Sequence, residues 1–78
     1  MKELVQFLAE QLVSTPSAVQ VRETQGETAS ILELRVAKED LGRVIGKQGR
    51  TAKSIRTILN AVASRTNRKV VLEIIEEG

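Results

Sequence analysis

Gly46-Lys47-Gln48-Gly49 is the stretch of this chain best composed to hold a ligand. Two glycines three apart let the backbone turn through conformations a side chain would resist, and they leave main-chain amides uncovered. One cation and one side-chain amide sit between them. The helical pattern beginning at Arg50 adds free N–H groups and the positive end of a helix dipole at the same spot. The chemistry this composes is anion binding, most naturally of a phosphate. Catalysis is poorly served. The chain has no histidine and no cysteine, which removes the commonest bases and nucleophiles and makes a zinc site unexpected. Near the loop only Thr51 and Ser54 offer hydroxyls, and the carboxylates are distant. Glu39 and Asp40 read as acids favoured at a helix start, not as an acid–base pair. Neither an enzyme nor a cofactor is expected.

Other phosphate motifs do not fit. A Walker A loop places four residues between its first glycine and the Gly-Lys pair, then a Ser or Thr. Gly42 and Gly46 have three between them, and Gln48 stands where the hydroxyl belongs. A dinucleotide fingerprint lacks its third glycine. Charge supports a polyanion instead. Residues 41–72 carry eight cations and no acid; the remainder carries four cations and all ten acids, so +8 faces −6. A basic half attracts nucleic acid while an acidic remainder limits indiscriminate binding.

The elements that must position this loop are legible in the pattern. Leu4, Val5, Leu8 and Leu12, with Phe7 nearby, predict a helix over Lys2 to Val13 that ends before Pro16. Alternation predicts strands over Ala18 to Thr24 and Ala29 to Ala37, joined at Gln25-Gly26-Glu27 as an antiparallel hairpin. A short helix is expected over Glu39 to Ile45, with Asp40 as its N-cap. A long one follows from Arg50 to about Arg65, burying Ala52, Ile55, Ile58, Leu59 and Val62. Val70 to Ile75 reads as a third strand and Glu76-Glu77-Gly78 as an acidic tail. The order is α-β-β-α-α-β. A strand that returns after two helices returns parallel by a right-handed crossover. The expected fold is therefore α+β, with a three-stranded mixed sheet and three helices packed on one face. Seventy-eight residues make a single small domain. No apolar run approaches membrane-spanning length and the N-terminus lacks a signal-peptide core, so a soluble, cytoplasmic chain is expected.

The string V-I-G-K-Q-G-R-T-A-K-S-I-R, from Val44 to Arg56, resembles the signature of KH domains, a family of single-stranded RNA and DNA binders. With the order of elements, the likeness extends over nearly the whole chain and implies the prokaryotic, type II arrangement. It implies that the G-x-x-G loop clamps the backbone of about four nucleotides. Nucleic-acid contacts would then fall to Arg43, Val44, Ile45, Gly46, Lys47, Gln48, Gly49, Arg50, Lys53 and Arg56. Val44, Ile45 and Ile55 are candidates for an apolar floor under the bases, with Ile55 alternatively pure core. A chain this short built of little else resembles the bacterial KhpA family. That resemblance implies an RNA chaperone or post-transcriptional regulator acting as a homodimer, or with a second KH protein of the KhpB (Jag) type. It further implies a part in cell elongation and cell-wall homeostasis. Single-stranded DNA binding and a protein-interaction module that keeps the fold are the alternative readings.

Overall fold

Helix α1 (Lys2–Leu12) forms on the expected apolar spacing and stops short of Pro16, whose ring opens a 3₁₀ turn over Pro16–Ala18. That turn displaces the start of strand β1 (Gln20–Gln25) from its expected beginning at Ala18. The structure is a computed structural model that describes residues 1–75; the acidic tail expected at Glu76, Glu77 and Gly78 lies outside the described residues. β1 pairs antiparallel with β2 (Ala29–Arg35), with Val21 opposite Leu34 and Gln25 opposite Ser30. The last strand, β3 (Lys69–Ile74), pairs parallel with β2, from Ala29 opposite Lys69 to Leu34 opposite Ile74. The sheet order is β1-β2-β3, so β2 is central and the sheet is mixed, as the two-helix crossover requires.

Alternation along the strands separates the two faces. Val21, Leu32, Leu34 and Leu72 turn inward onto Val5 and Ala9 of α1 and onto Ile55 and Leu59 of the long helix α3 (Arg50–Ala63). Ile31 turns the other way and is exposed. The helices pack on one face, and the other face of the sheet is open. Between sheet and α3 the chain makes a 3₁₀ turn (Lys38–Asp40) and a five-residue helix, α2 (Leu41–Ile45), where one short helix from Glu39 was expected. α3 runs on into a 3₁₀ turn and is closed by Asn67 at φ 56°, a left-handed conformation that asparagine tolerates.

Two expectations need correction. The apolar stripe of α3 is rotated: Ala52, Ile55, Leu59 and Ala63 are buried, whereas Ile58 and Val62 are 42% and 44% exposed. Phe7 on α1 is 58% exposed as well. And Asp40, positioned as the N-cap of α2, makes no capping bond to its own helix. Its carboxylate is buried and reaches back to the end of α1. Oδ1 accepts the Ser14 hydroxyl at 2.7 Å and the Ser14 N–H at 3.0 Å, and Oδ2 accepts the Thr15 N–H at 3.1 Å. Arg43 Nε lies 3.4 Å from Oδ1. One carboxylate thus ties α1 to the root of α2.

This clamp has a pH signature. The Ser14 hydroxyl bond above all, then the Ser14 and Thr15 amides and Arg43, hold the Asp40 carboxyl below its ordinary 3.8, against the opposing effect of burial. A carboxyl that titrates lower in the folded state stabilises the fold above the unfolded pKa. That contribution drains away as pH falls through the folded value. Asp40→Asn should therefore melt earlier than the parent at neutral pH. Melting curves taken into the acid range should bring the two proteins together. Parallel curves at all pH values would show that the charge contributes nothing.

Candidate nucleic-acid interface

α2 ends at Gly46, whose N–H donates to the Gly42 carbonyl at 2.8 Å. Gly46 then takes φ 78°, ψ 172°, a region essentially closed to other residues. A Cβ there would overlap the Thr51 hydroxyl and lie 2.6 Å from Thr51 Cβ, so the first turn of α3 packs directly on this glycine. The chain continues through a 3₁₀ turn, Lys47–Gly49, with Gln48 at φ 57° and Gly49 at φ 76°. Unlike Gly46, Gly49 has open space where a Cβ would stand. Gln48 takes left-handed backbone, and its side chain and that of Lys47 are both exposed.

The amides are more committed than the sequence suggested. Gly49 N–H donates to Gly46 O at 3.1 Å, and Arg50 N–H to Lys47 O. Among the described residues, the amides of Lys47 and Gln48, first in the turn, donate to no backbone carbonyl. Around them stand exposed cations: Arg43 on α2, Lys47 in the turn, and Arg50, Lys53 and Arg56 on α3. Arg56 also reaches the sheet, its Nη2 donating to the Leu72 carbonyl at 3.3 Å on the free edge of β3. Of the apolar candidates, Ile45 is half-buried, while Val44 and Ile55 lie within the core and offer no surface in this conformation.

The eight-cation segment does not act as one patch. Arg68 is spent on the hairpin: its Nη2 donates to the Gly26 carbonyl at 2.9 Å and the Ser30 hydroxyl at 3.3 Å, and its Nη1 to the Glu27 carbonyl at 3.5 Å. Arg65, Arg68 and Lys69 lie beyond the far end of α3, about 20 Å from the loop at 1.5 Å per residue. A shallow hollow at that far end, lined by Met1, Glu23, Val62 and Arg68 among others, brings together no cluster of groups aimed at a ligand. Nothing in the spacing marked Thr51 as the packing partner of Gly46, Arg68 as a hairpin clamp, or Asp40 as the anchor of Arg43. Each depends on contacts across the chain.

The KhpA/KhpB, KH-domain family model matches residues 2–74. The chain belongs to this family. It is 57% identical over 75 residues to the RNA-binding protein KhpA of Clostridium perfringens, covering 96% of this chain and 100% of that one. To the RNA-binding protein KhpA of Chlamydia trachomatis it is 53% identical, covering 99% of each. Against that of Borreliella burgdorferi the figure is 46%, covering 95% of this chain and 90% of the relative. Among solved structures, a variant of Aquifex aeolicus Era bound to GDP and aluminium fluoride superposes with a TM-score of 0.66 at 22% identity. That match spans 97% of this chain and 31% of the longer protein, and it shows the fold alone. Members of the KhpA/KhpB family are not enzymes. Among the described residues, no group of side chains could hold a metal ion, and no helix is long and apolar enough to cross a membrane.

Proposed function

We propose that this chain, as one KH domain, is a single-stranded RNA-binding protein that grips the phosphate backbone at Gly46–Gly49. The observation that carries the reading is the loop itself. It is a turn with three residues at positive φ, closed against Thr51, with two amides that no backbone carbonyl takes up among the described residues and five exposed cations around it. The names of the relatives support RNA as the polymer. In this reading Lys47 and the Lys47 and Gln48 amides hold one phosphate, and Arg50, Lys53, Arg56 and Arg43 line its path. Ile45 meets the bases. With Phe7 the one aromatic in the chain, stacking of the kind that strengthens many RNA binders is missing. Affinity is modest and sequence preference loose. The protein acts in the cytoplasm as an RNA chaperone or post-transcriptional regulator, with a KhpB (Jag)-type partner, in cell elongation and cell-wall homeostasis. Sequencing of RNA crosslinked to the protein in cells, beside a loop variant, tests the reading. It fails if the crosslinked set is no richer than the variant's.

Pairing belongs to the same proposal. One KH site contacts about four nucleotides, and joining two sites raises avidity by roughly 10²–10⁴ where geometry permits. Ile58, Val62 and Phe7 leave apolar surface on the helical layer that a second KH domain could cover. Light scattering across micromolar concentrations, with and without the KhpB-type protein, should show a mass above that of one chain. A monomeric mass throughout would remove pairing from the function.

A further inference from the structure

Among the described residues, Asp40 is the one charged side chain that is fully buried. An acid so near a phosphate-binding turn should weaken binding, because like charges repel. The bonds from Ser14 and Thr15 account for this carboxylate as a fastening for the end of α1. They do not account for Arg43. Its Nε lies 3.4 Å from Oδ1 of Asp40, yet its side chain is 61% exposed. Nothing else among the described residues pairs with that guanidinium. Asp40 caps α2, Arg43 follows it at i,i+3, and Gly46 ends the helix, so buried acid, arginine and turn stand in succession along one short element. A loose surface arginine gives up rotamer freedom when it meets a ligand. One that is fastened beforehand gives up less.

We propose that Asp40 is a positioning residue for RNA binding: its buried carboxylate fixes the Arg43 guanidinium in advance, so that Arg43 meets a backbone phosphate next to the one held at the loop. This rests on the RNA-binding reading and adds to it a residue that itself touches no RNA. The carboxylate does not repel the strand, because it is turned into the protein, with three donors from Ser14 and Thr15 on it and Arg43 beside it. Its effect on binding therefore has the sign opposite to that of an ordinary acid near a polyanion.

The test measures affinity for a fluorescein-labelled single-stranded RNA pool of random sequence, well below the melting point of every variant. Arg43→Ala should bind about tenfold more weakly, having lost one charged contact, and its log–log salt slope should flatten by roughly 0.7 or less. Asp40→Asn should weaken binding about threefold, the worth of a partly exposed ion pair, although it removes a negative charge. The Asp40→Asn, Arg43→Ala double variant should bind no more weakly than Arg43→Ala, because Asp40 acts through Arg43. Ser14→Ala loosens the end of α1 but leaves the ion pair, so it should melt earlier and bind as the parent does. Arg43→Lys tests the same arrangement if Asp40→Asn does not fold. It keeps the charge, but a single nitrogen cannot stand at Asp40 and at the strand together, so most of the loss should remain. Parental or tighter binding by Asp40→Asn would overturn the proposal, as would parental binding by Arg43→Lys. Losses that add in the double variant, or an equal loss in Ser14→Ala, would overturn it too, by assigning the effect to the fold. The Lys47→Asp, Gln48→Asp double variant runs beside them. If it loses binding while Asp40→Asn does not, the loop reading stands and only the positioning role falls; if it binds as the parent does, both fall.

Discussion

The Lys47→Asp, Gln48→Asp double variant should fold as the parent does and lose RNA binding by at least on the order of a hundredfold, since like charges brought together cost several kcal/mol. Folding should survive because both side chains are exposed and, among the described residues, neither anchors the fold through a side-chain hydrogen bond or ion pair. Gln48 sits at φ 57°, and aspartate visits that region more readily than most residues. Binding should fail because two carboxylates would stand where a phosphate has to sit. The wall around the loop contributes separately. On a single strand, affinity should fall with salt at a log–log slope of roughly −0.7 per phosphate neutralised. Arg50→Ala and Lys53→Ala should each flatten that slope, and Lys2→Ala or Arg22→Ala should not. Retained affinity with an unchanged circular dichroism spectrum in the double variant would take the loop out of the mechanism.

Gly46→Ala should be the most damaging single change in the loop, destabilising the fold by about 2–6 kcal/mol. The estimate combines a strained backbone, 1–3 kcal/mol, with a forced overlap of similar size. For a domain whose total stability is of the order of 5–15 kcal/mol, the melting point should drop by roughly 10 °C or more. Gly49→Ala provides the contrast. Its φ of 76° also disfavours a side chain, yet nothing lies within 4 Å of the added carbon, so about 1–2 kcal/mol is expected. Adding Thr51→Ala to Gly46→Ala removes the hydroxyl overlap but leaves Thr51 Cβ at 2.6 Å and its N at 2.8 Å. Only a minor part of the loss should return. Equal melting points for the two single variants would mean that the two glycines do the same job.

What the sequence made legible were features that one segment decides by itself. The glycine spacing, the cations that follow it, the strand alternation and the helix periods each depend on residues within a turn or two. From their order the mixed sheet and its central strand follow. What stayed hidden were choices made between segments. A stripe of Ala52, Ile55, Ile58, Leu59 and Val62 has the right period, but period does not say how wide a strip the neighbours cover. Here the cover extends toward Ala63 and leaves Ile58 and Val62 outside. Asp40 precedes a helix and reads as its cap, yet the unsatisfied groups at Ser14 and Thr15, some 25 residues away, claim the carboxylate. Arg68 counts as one more cation in a basic run until three acceptors at the hairpin take its guanidinium. At the site, the exposure of Lys47 and Arg50 could be read from polarity, whereas the burial of Val44 depended on how α2 docks.

The central strand acquires its two neighbours at very different times. β1 is an adjacent hairpin partner, available as soon as β2 exists. β3 begins at Lys69, after α2, the loop and α3 have all been made, and it pairs with a strand that begins at Ala29. Pairing across so long a stretch of chain is slow to form, because loop closure precedes any reward from contact. The loop sits inside that stretch. Gly46 is held in its special conformation by α3 packing on it, and α3 is held by docking against β3 and the sheet. A chain interrupted before β3 has the whole G-x-x-G sequence but lacks the strand against which α3, the turn's packing partner, docks. It also leaves one edge of β2, with Leu32 and Leu34, unpaired. The sheet and the Gly46–Gly49 turn are thus linked through α3, so an incomplete chain lacks part of what braces that turn.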